Sequence, residues 1–310
     1  MSQSDFVEAW LAGVGDHQFY TRTYPATFPK AVVLFVHGFA EHIARYQHVH
    51  VRYPARGVTV FAFDQRGFGR TALDVEHRSK DSAFSKTNWN AQLQDIEFFA
   101  NRLAKEYPGV PLFLMGHSMG GGLTLAFFTR NTPPPSPESV KLFTGVIGSS
   151  PWITLTQSKP KFLRWTGAKL ATFFPNVAIP ADPGVEWLTR SEAKREENMK
   201  DPLIQRKGTL KALDDMLSGG DKLLSESYRR WPSTLPVLFL HGTADNVTSC
   251  KSTEAFYNKI EASDKKLSLY EGGYHELVNE IGDIPDRFTD EVLTWIENHV
   301  PKPDTPISKL

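Results

Sequence analysis

The chain of 310 residues carries 35 Lys and Arg against 35 Asp and Glu, so its formal net charge is zero. No stretch is strongly basic, which argues against nucleic acid as a partner, and the single cysteine, Cys250, excludes an internal disulfide framework and fits a reducing compartment. No apolar run approaches the ~20 residues that span a bilayer, and the opening Met1-Ser2-Gln3-Ser4-Asp5 lacks the layout of a secretory leader.

Short apolar runs alternate with helical stretches, which predicts a mainly parallel α/β sheet covered on both faces. In chain order, strands are expected at 16–24, 31–37, 58–63, 111–115, 144–149, 236–240 and 266–271, with helices at 43–56, 88–107, 119–130, 249–262 and 286–299. Residues 151–230 break this rhythm. They hold helical pieces at 161–174 and 209–229, joined by Pro, Gly and charged residues, with no convincing strand. The block reads as a cap inserted over the active-site face of a core built from 1–150 and 231–300. Pro133-Pro134-Pro135-Ser136-Pro137 reads as a surface loop, there are no internal repeats, and 301–310 is a Pro-rich tail that cannot continue a helix.

The most informative segment is Gly116-His117-Ser118-Met119-Gly120, which follows the apolar run 111–115 and precedes the small-residue stretch Gly121-Gly122-Leu123-Thr124-Leu125-Ala126. Strand, tight turn and helix in that order form a nucleophile elbow, which lifts a serine hydroxyl above a helix N-terminus. The flanking glycines are needed because the turn strains the backbone and leaves no room for a Cβ. A serine hydroxyl is a poor nucleophile near neutral pH, so it needs a base, itself oriented by a carboxylate. Both should follow the serine, on loops after later strands, in the order acid then histidine. Asp245 follows the run Val237-Leu238-Phe239-Leu240, and His275 follows Leu267-Ser268-Leu269-Tyr270. Taken singly, these residues read equally well as a turn or capping aspartate and a surface-loop histidine; the ordered trio favours chemistry.

An oxyanion needs donors. The N–H of Met119 supplies one, and the loop after 31–37 should supply the second through Phe39. His37 reads as bracing that loop, and Asp64-Gln65-Arg66-Gly67-Phe68-Gly69 as a structural turn. His117 should pack beside the elbow, and His241 reads as structural. His42, His48 and His50 read as helix-face residues. There is no H-E-x-x-H and no Cys/His cluster, so neither a metal nor a cofactor is expected.

His37-Gly38-Phe39-Ala40-Glu41-His42-Ile43-Ala44-Arg45-Tyr46 resembles the H-G-x-x-E-H-x-x-R-Y signature of monoacylglycerol lipases. The elbow G-H-S-M-G, the acid loop G-T-A-D, the stretch Y-E-G-G-Y-H-E-L and Asp201-Pro202-Leu203 at the end of the cap are similar to that family's motifs, in the same order. The turn D-Q-R-G-F-G-R-T is closer to fungal members. The resemblance implies an α/β-hydrolase fold with a helical cap, the triad Ser118, Asp245 and His275, and oxyanion amides from Phe39 and Met119. It also implies that Glu41 and Arg45 help form the glycerol end of the pocket; from the residues alone they are an i, i+4 ion pair on a helix.

The expected activity is therefore ester hydrolysis of monoacylglycerol through an acyl-enzyme, with no cofactor. A lysophospholipase, broad carboxylesterase or acyl-CoA thioesterase would share the triad, and a non-catalytic ligand-binding protein on the same fold is a separate class. The cap carries Trp152, Ile153, Leu155, Phe162, Leu163, Trp165, Leu170, Phe173 and Phe174 among Lys159, Lys161, Arg164 and Lys169. That mixture fits either a lid that dips into membrane or micelle or an insert packed over an acyl tunnel. The terminal Ser308-Lys309-Leu310 matches a peroxisomal address read by an import receptor.

Overall fold

The structure, a computed structural model, describes residues 5–157 and 161–301. Lys159, the side chains of Lys161 and Leu163, and Ser308-Lys309-Leu310 lie outside the described residues. One sheet of eight strands organises the core: β1 (Val7–Ala12), β2 (Gln18–Tyr24), β3 (Ala31–Val36), β4 (Val58–Phe63), β5 (Leu112–His117), β6 (Phe143–Ser149), and later β9 (Val237–Gly242) and β10 (Lys265–Tyr270). Their spatial order is β1-β2-β4-β3-β5-β6-β9-β10. The pairs from β4 to β10 are parallel, while β1–β2 and β2–β4 are antiparallel.

The strands alternate by two, and both faces are dry. On β3, Val32, Leu34 and Val36 join one core with Leu114, Phe239 and the helices Trp89–Glu106 and Met119–Thr129. Val33 and Phe35 join the other with Met115, Leu238 and the last helix, Ile284–His299. This is the sheet expected of an α/β-hydrolase.

Strand β1 was not foreseen. It is a half-exposed antiparallel edge whose Val7 and Glu8 face solvent, so its apolar signal is weak. The helix expected at 43–56 is instead three short pieces, Ile43–Tyr46, Gln47–His50 and Pro54–Arg56. Proline and the left-handed Gly57 (φ 77°) end that run. The segment between β6 and β9 does contain strands: β7 (Ala178–Pro180) pairs with β8 (Lys207–Thr209). Three residues are too few to show a period. Helices Lys161–Phe173 and Leu210–Ser225 lie where expected, and Glu192–Lys200 is an additional one. The polyproline loop ends in a capped turn, Ser136 accepting from the Ser139 N–H.

Helix Leu210–Ser225 is pressed onto the core through two adjacent glycines. A Cβ at Gly220 would lie 2.2 Å from the Ile153 carbonyl oxygen, and one at Gly219 would lie 2.9 Å from the Trp89 ring. The indole of Trp152 donates to the Met216 carbonyl of the same helix at 2.8 Å. Helix Lys161–Phe173 is different. Phe162 and Phe173 are each 75% exposed, beside exposed Trp165, Leu170 and Phe174. Among the described residues no helix is long and apolar enough to cross a membrane.

Candidate active site

Ser118 sits between β5 and the helix Met119–Thr129 with φ 52° and ψ −120°, a region that L-residues rarely occupy. Its backbone is clamped: its N–H donates to the Ser149 carbonyl at 3.0 Å, and its carbonyl accepts from Gly122 at 3.0 Å and Trp152 at 2.7 Å. The elbow glycines are required by close approach. A Cβ at Gly116 would lie 2.3 Å from the Gly120 oxygen, and one at Gly120 would lie 2.2 Å from the Val36 oxygen. The following helix is apolar and buried all round, which fixes its N-terminus beneath the serine.

His275 and Asp245 arrive from the loops after β10 and β9. His275 Nε2 lies 2.9 Å from Ser118 Oγ, and His275 Nδ1 lies 2.7 Å from Asp245 Oδ2. The order serine, acid, histidine thus closes into one hydrogen-bonded line across 157 residues. Asp245 is also held by its own turn, Oδ1 accepting from the N–H groups of Val247 at 2.7 Å and Thr248 at 2.9 Å. Burial disfavours its charge, but His275 and His241 outweigh that and hold its pKa well below the ordinary 3.8. Burial likewise disfavours a charged His275, yet the Asp245 carboxylate holds its pKa above the ordinary 6.5.

The loop after β3 faces the elbow. Among the described residues, neither the Phe39 N–H nor the Met119 N–H has a protein acceptor. Phe39 lines the same cavity as Ser118, and Met119 is the first residue of the helix that follows it. His37 braces this loop as expected: its Nδ1 lies 2.8 Å from the Gly38 carbonyl oxygen and its Nε2 accepts from the Gln65 N–H at 2.9 Å. The Asp64 turn is likewise structural, its carboxylate accepting from the N–H groups of Ile43 and Arg70 at 2.8 and 2.7 Å.

Glu41 and Arg45 line the same cavity as Ser118, but they are not on one helix. Glu41 precedes the first turn, and its carboxylate accepts from the Gly38 N–H at 2.5 Å, the Tyr46 hydroxyl at 2.7 Å and Arg45 at 2.6 Å. Arg45 also grips Glu276 through two bonds of 2.8 and 2.7 Å. Burial opposes the Glu276 charge, but the guanidinium overcomes it and brings the pKa down to about 2. Sequence reasoning assigned no role to Glu276, although it follows His275 directly; its partner lies 231 residues away.

His117 packs beside His275, with ring centroids 4.8 Å apart. Burial and the neighbouring His275 push its pKa down to about 3, so it adds no positive charge beside His275. His42 is not on a helix face: its Nε2 lies 2.8 Å from Asp201 and so ties the loop after β3 to the Asp201-Pro202-Leu203 segment. His48 Nε2 lies 2.9 Å from the Val278 carbonyl oxygen, and His50 is buried against Phe35 and Tyr46.

Ser118 and His275 open into a cavity of about 550 Å³. Leu155, Leu170, Ile179, Leu188, Leu213 and Leu217 line its apolar reach, and Glu41, Arg45, His117 and Glu276 its polar end. A smaller cavity of about 190 Å³ adjoins it at Trp152, Leu155, Arg164 and Leu217 and is lined by none of Ser118, Asp245 and His275. Among the described residues no group of three or more His, Cys, Asp or Glu is arranged to hold a metal ion.

A family profile described as "Serine aminopeptidase, S33" matches residues 27–282. A Schizosaccharomyces pombe relative is 33% identical over 87% of this chain and 68% of its own length. The monoglyceride lipase of Rattus norvegicus is 28% identical over 92% of this chain and 88% of its own. A crystal structure of a soluble variant of the Saccharomyces cerevisiae monoglyceride lipase, in complex with a substrate analog, superposes with a TM-score of 0.84 at 25% identity over 97% of both chains. With profile, relatives and fold in agreement across most of its length, the chain belongs to the monoglyceride lipase family of serine α/β-hydrolases.

Proposed function

We propose that the protein hydrolyses monoacylglycerol to fatty acid and glycerol through an acyl-enzyme. The observation that carries this reading is the 2.9 Å contact between Ser118 Oγ and His275 Nε2 in a cavity lined by both apolar and charged residues. His275 takes the Ser118 proton as Oγ adds to the ester carbonyl, and the N–H groups of Phe39 and Met119 receive the oxyanion. His275 then returns the proton to the departing glycerol oxygen, and water, activated by the same imidazole, releases the acyl group. Each CH₂ of an acyl chain buried against the leucine wall contributes ~0.8 kcal/mol to binding. Glu41 and Arg45 face the glycerol moiety.

The test is a panel of monoacylglycerol, triacylglycerol, lysophospholipid and acyl-CoA with purified protein. Monoacylglycerol should give the highest Ser118-dependent kcat/KM, and a far better lysophospholipid would refute the glycerol assignment of Glu41 and Arg45.

The exposed apolar residues of Lys161–Phe173 support contact of the cap with a lipid surface during substrate uptake. The terminal Ser308-Lys309-Leu310 supports delivery to peroxisomes by an import receptor. Removing those three residues should leave turnover unchanged and the protein in the cytosol, and undiminished peroxisomal delivery would refute the address.

A further inference from the structure

Asp245 is shared by two imidazoles, and only one faces the nucleophile. Its Oδ2 lies 2.7 Å from His275 Nδ1 and 3.1 Å from His241 Nε2. His241 stands at the end of β9, four residues before the acid, with no exposed side-chain surface. Its surroundings fix its tautomer. Nε2 faces the Asp245 carboxylate and, at 3.2 Å, the Thr248 carbonyl oxygen, both acceptors, so Nε2 carries the proton. Nδ1 then accepts from the Thr253 hydroxyl at 2.9 Å.

We propose that His241 is a positioning residue that moderates the base strength of His275 by donating to the same carboxylate oxygen. The inference rests on reading Ser118, His275 and Asp245 as the triad. A hydrogen bond to a carboxylate stabilises its charge and weakens the hold of that charge on any other proton nearby. The N–H groups of Val247 and Thr248 act on Oδ1, and the Thr248 hydroxyl reaches Oδ2 at 2.9 Å. Among these donors, His241 brings an imidazole to the very oxygen that His275 uses. Thr253, donating to Nδ1, makes the Nε2 proton a better donor.

Other charged or titratable groups lie around the pair. His117 on β5 touches His275, Glu276 and Glu41 act on His275 from the polar end, and Arg45 acts on His117. Cys250 and Glu254 lie on the helix that carries Thr253. Burial, Glu254 and Asp245 push the Cys250 thiol up to about 11, so it stays neutral across the working range. A substitution at 241 changes none of these.

The test compares acidic limbs of kcat/KM against pH for proteins matched by thermal melting. His241→Leu leaves the carboxylate undivided for His275, so the limb should move to higher pH by about half a unit or more. His241→Gln can return a donor to Oδ2 and should bring the limb back towards wild type, which a merely space-filling role would not require. A folded His241→Leu enzyme with an unmoved limb overturns the proposal. Should His241→Leu not fold, Thr253→Val removes only the partner of Nδ1; its limb should shift in the same direction, and an unmoved limb again overturns the proposal. Failure of the triad reading is separately visible, because Ser118→Ala would then keep wild-type turnover.

Discussion

At the scale of single residues, the proposed reaction depends on one proton moving between Ser118 and His275, whose Oγ and Nε2 lie 2.9 Å apart. Ser118→Ala should lower kcat by several orders of magnitude with folding intact, and Asp245→Asn by about 10⁴ through the wrong tautomer, both read by steady-state kinetics. In the proposed reaction His275 must be neutral to accept that proton. Because Asp245 holds the His275 pKa above 6.5, kcat/KM should fall as pH drops through that raised value, and a limb well below 6.5 would contradict the pairing. Stability runs the other way. The raised His275 contributes stabilisation fully present below pH 6.5 and lost as pH rises through its folded value. The lowered Asp245 contributes above 3.8 and loses it as pH falls through its own. Ser118, Asp245 and His275 were legible because each sits in a local motif at a strand end. Glu276 and the second imidazole on Asp245 were not, because a role defined by a partner folded against it leaves no local trace.

At the scale of elements, the elbow works by close contact. Gly120→Ala would place a methyl 2.2 Å from the Val36 oxygen, so strand and helix must separate. We expect a loss of about 1–3 kcal/mol in denaturant unfolding together with a large drop in kcat. Gly220→Ala pushes helix Leu210–Ser225 off the Ile153 carbonyl by the same geometry and should disturb the cavity wall, raising KM more than it lowers kcat. The buried parallel strands were readable as continuous apolar runs, and the long helices as periodic ones. Strand β1 escaped notice because half of it faces water, and β7 with β8 because they are so short. The run 43–56 carries helix-compatible side chains, but Pro54 and the left-handed Gly57 end it.

For the whole molecule, the contrast between two helices of the segment between β6 and β9 matters most. Helix Leu210–Ser225 is fastened to the core, whereas Lys161–Phe173 shows its aromatic residues to solvent. Replacing Phe162 and Phe173 by Ser should reduce co-sedimentation with phospholipid vesicles and activity on dispersed lipid, while leaving hydrolysis of a short soluble ester within about twofold. Equal loss on both substrates would mean that these rings serve the fold instead. The elbow backbone also bears on global stability. A non-glycine residue held at φ 52° carries about 1–3 kcal/mol of conformational strain. Ser118→Gly and Ser118→Ala both lack the hydroxyl, but only glycine relaxes there, so the glycine variant should melt at the higher temperature. Heat-resistance screens that ignore turnover would consequently enrich inactive sequences at this position, and any thermostabilised library should hold residue 118 invariant from the outset.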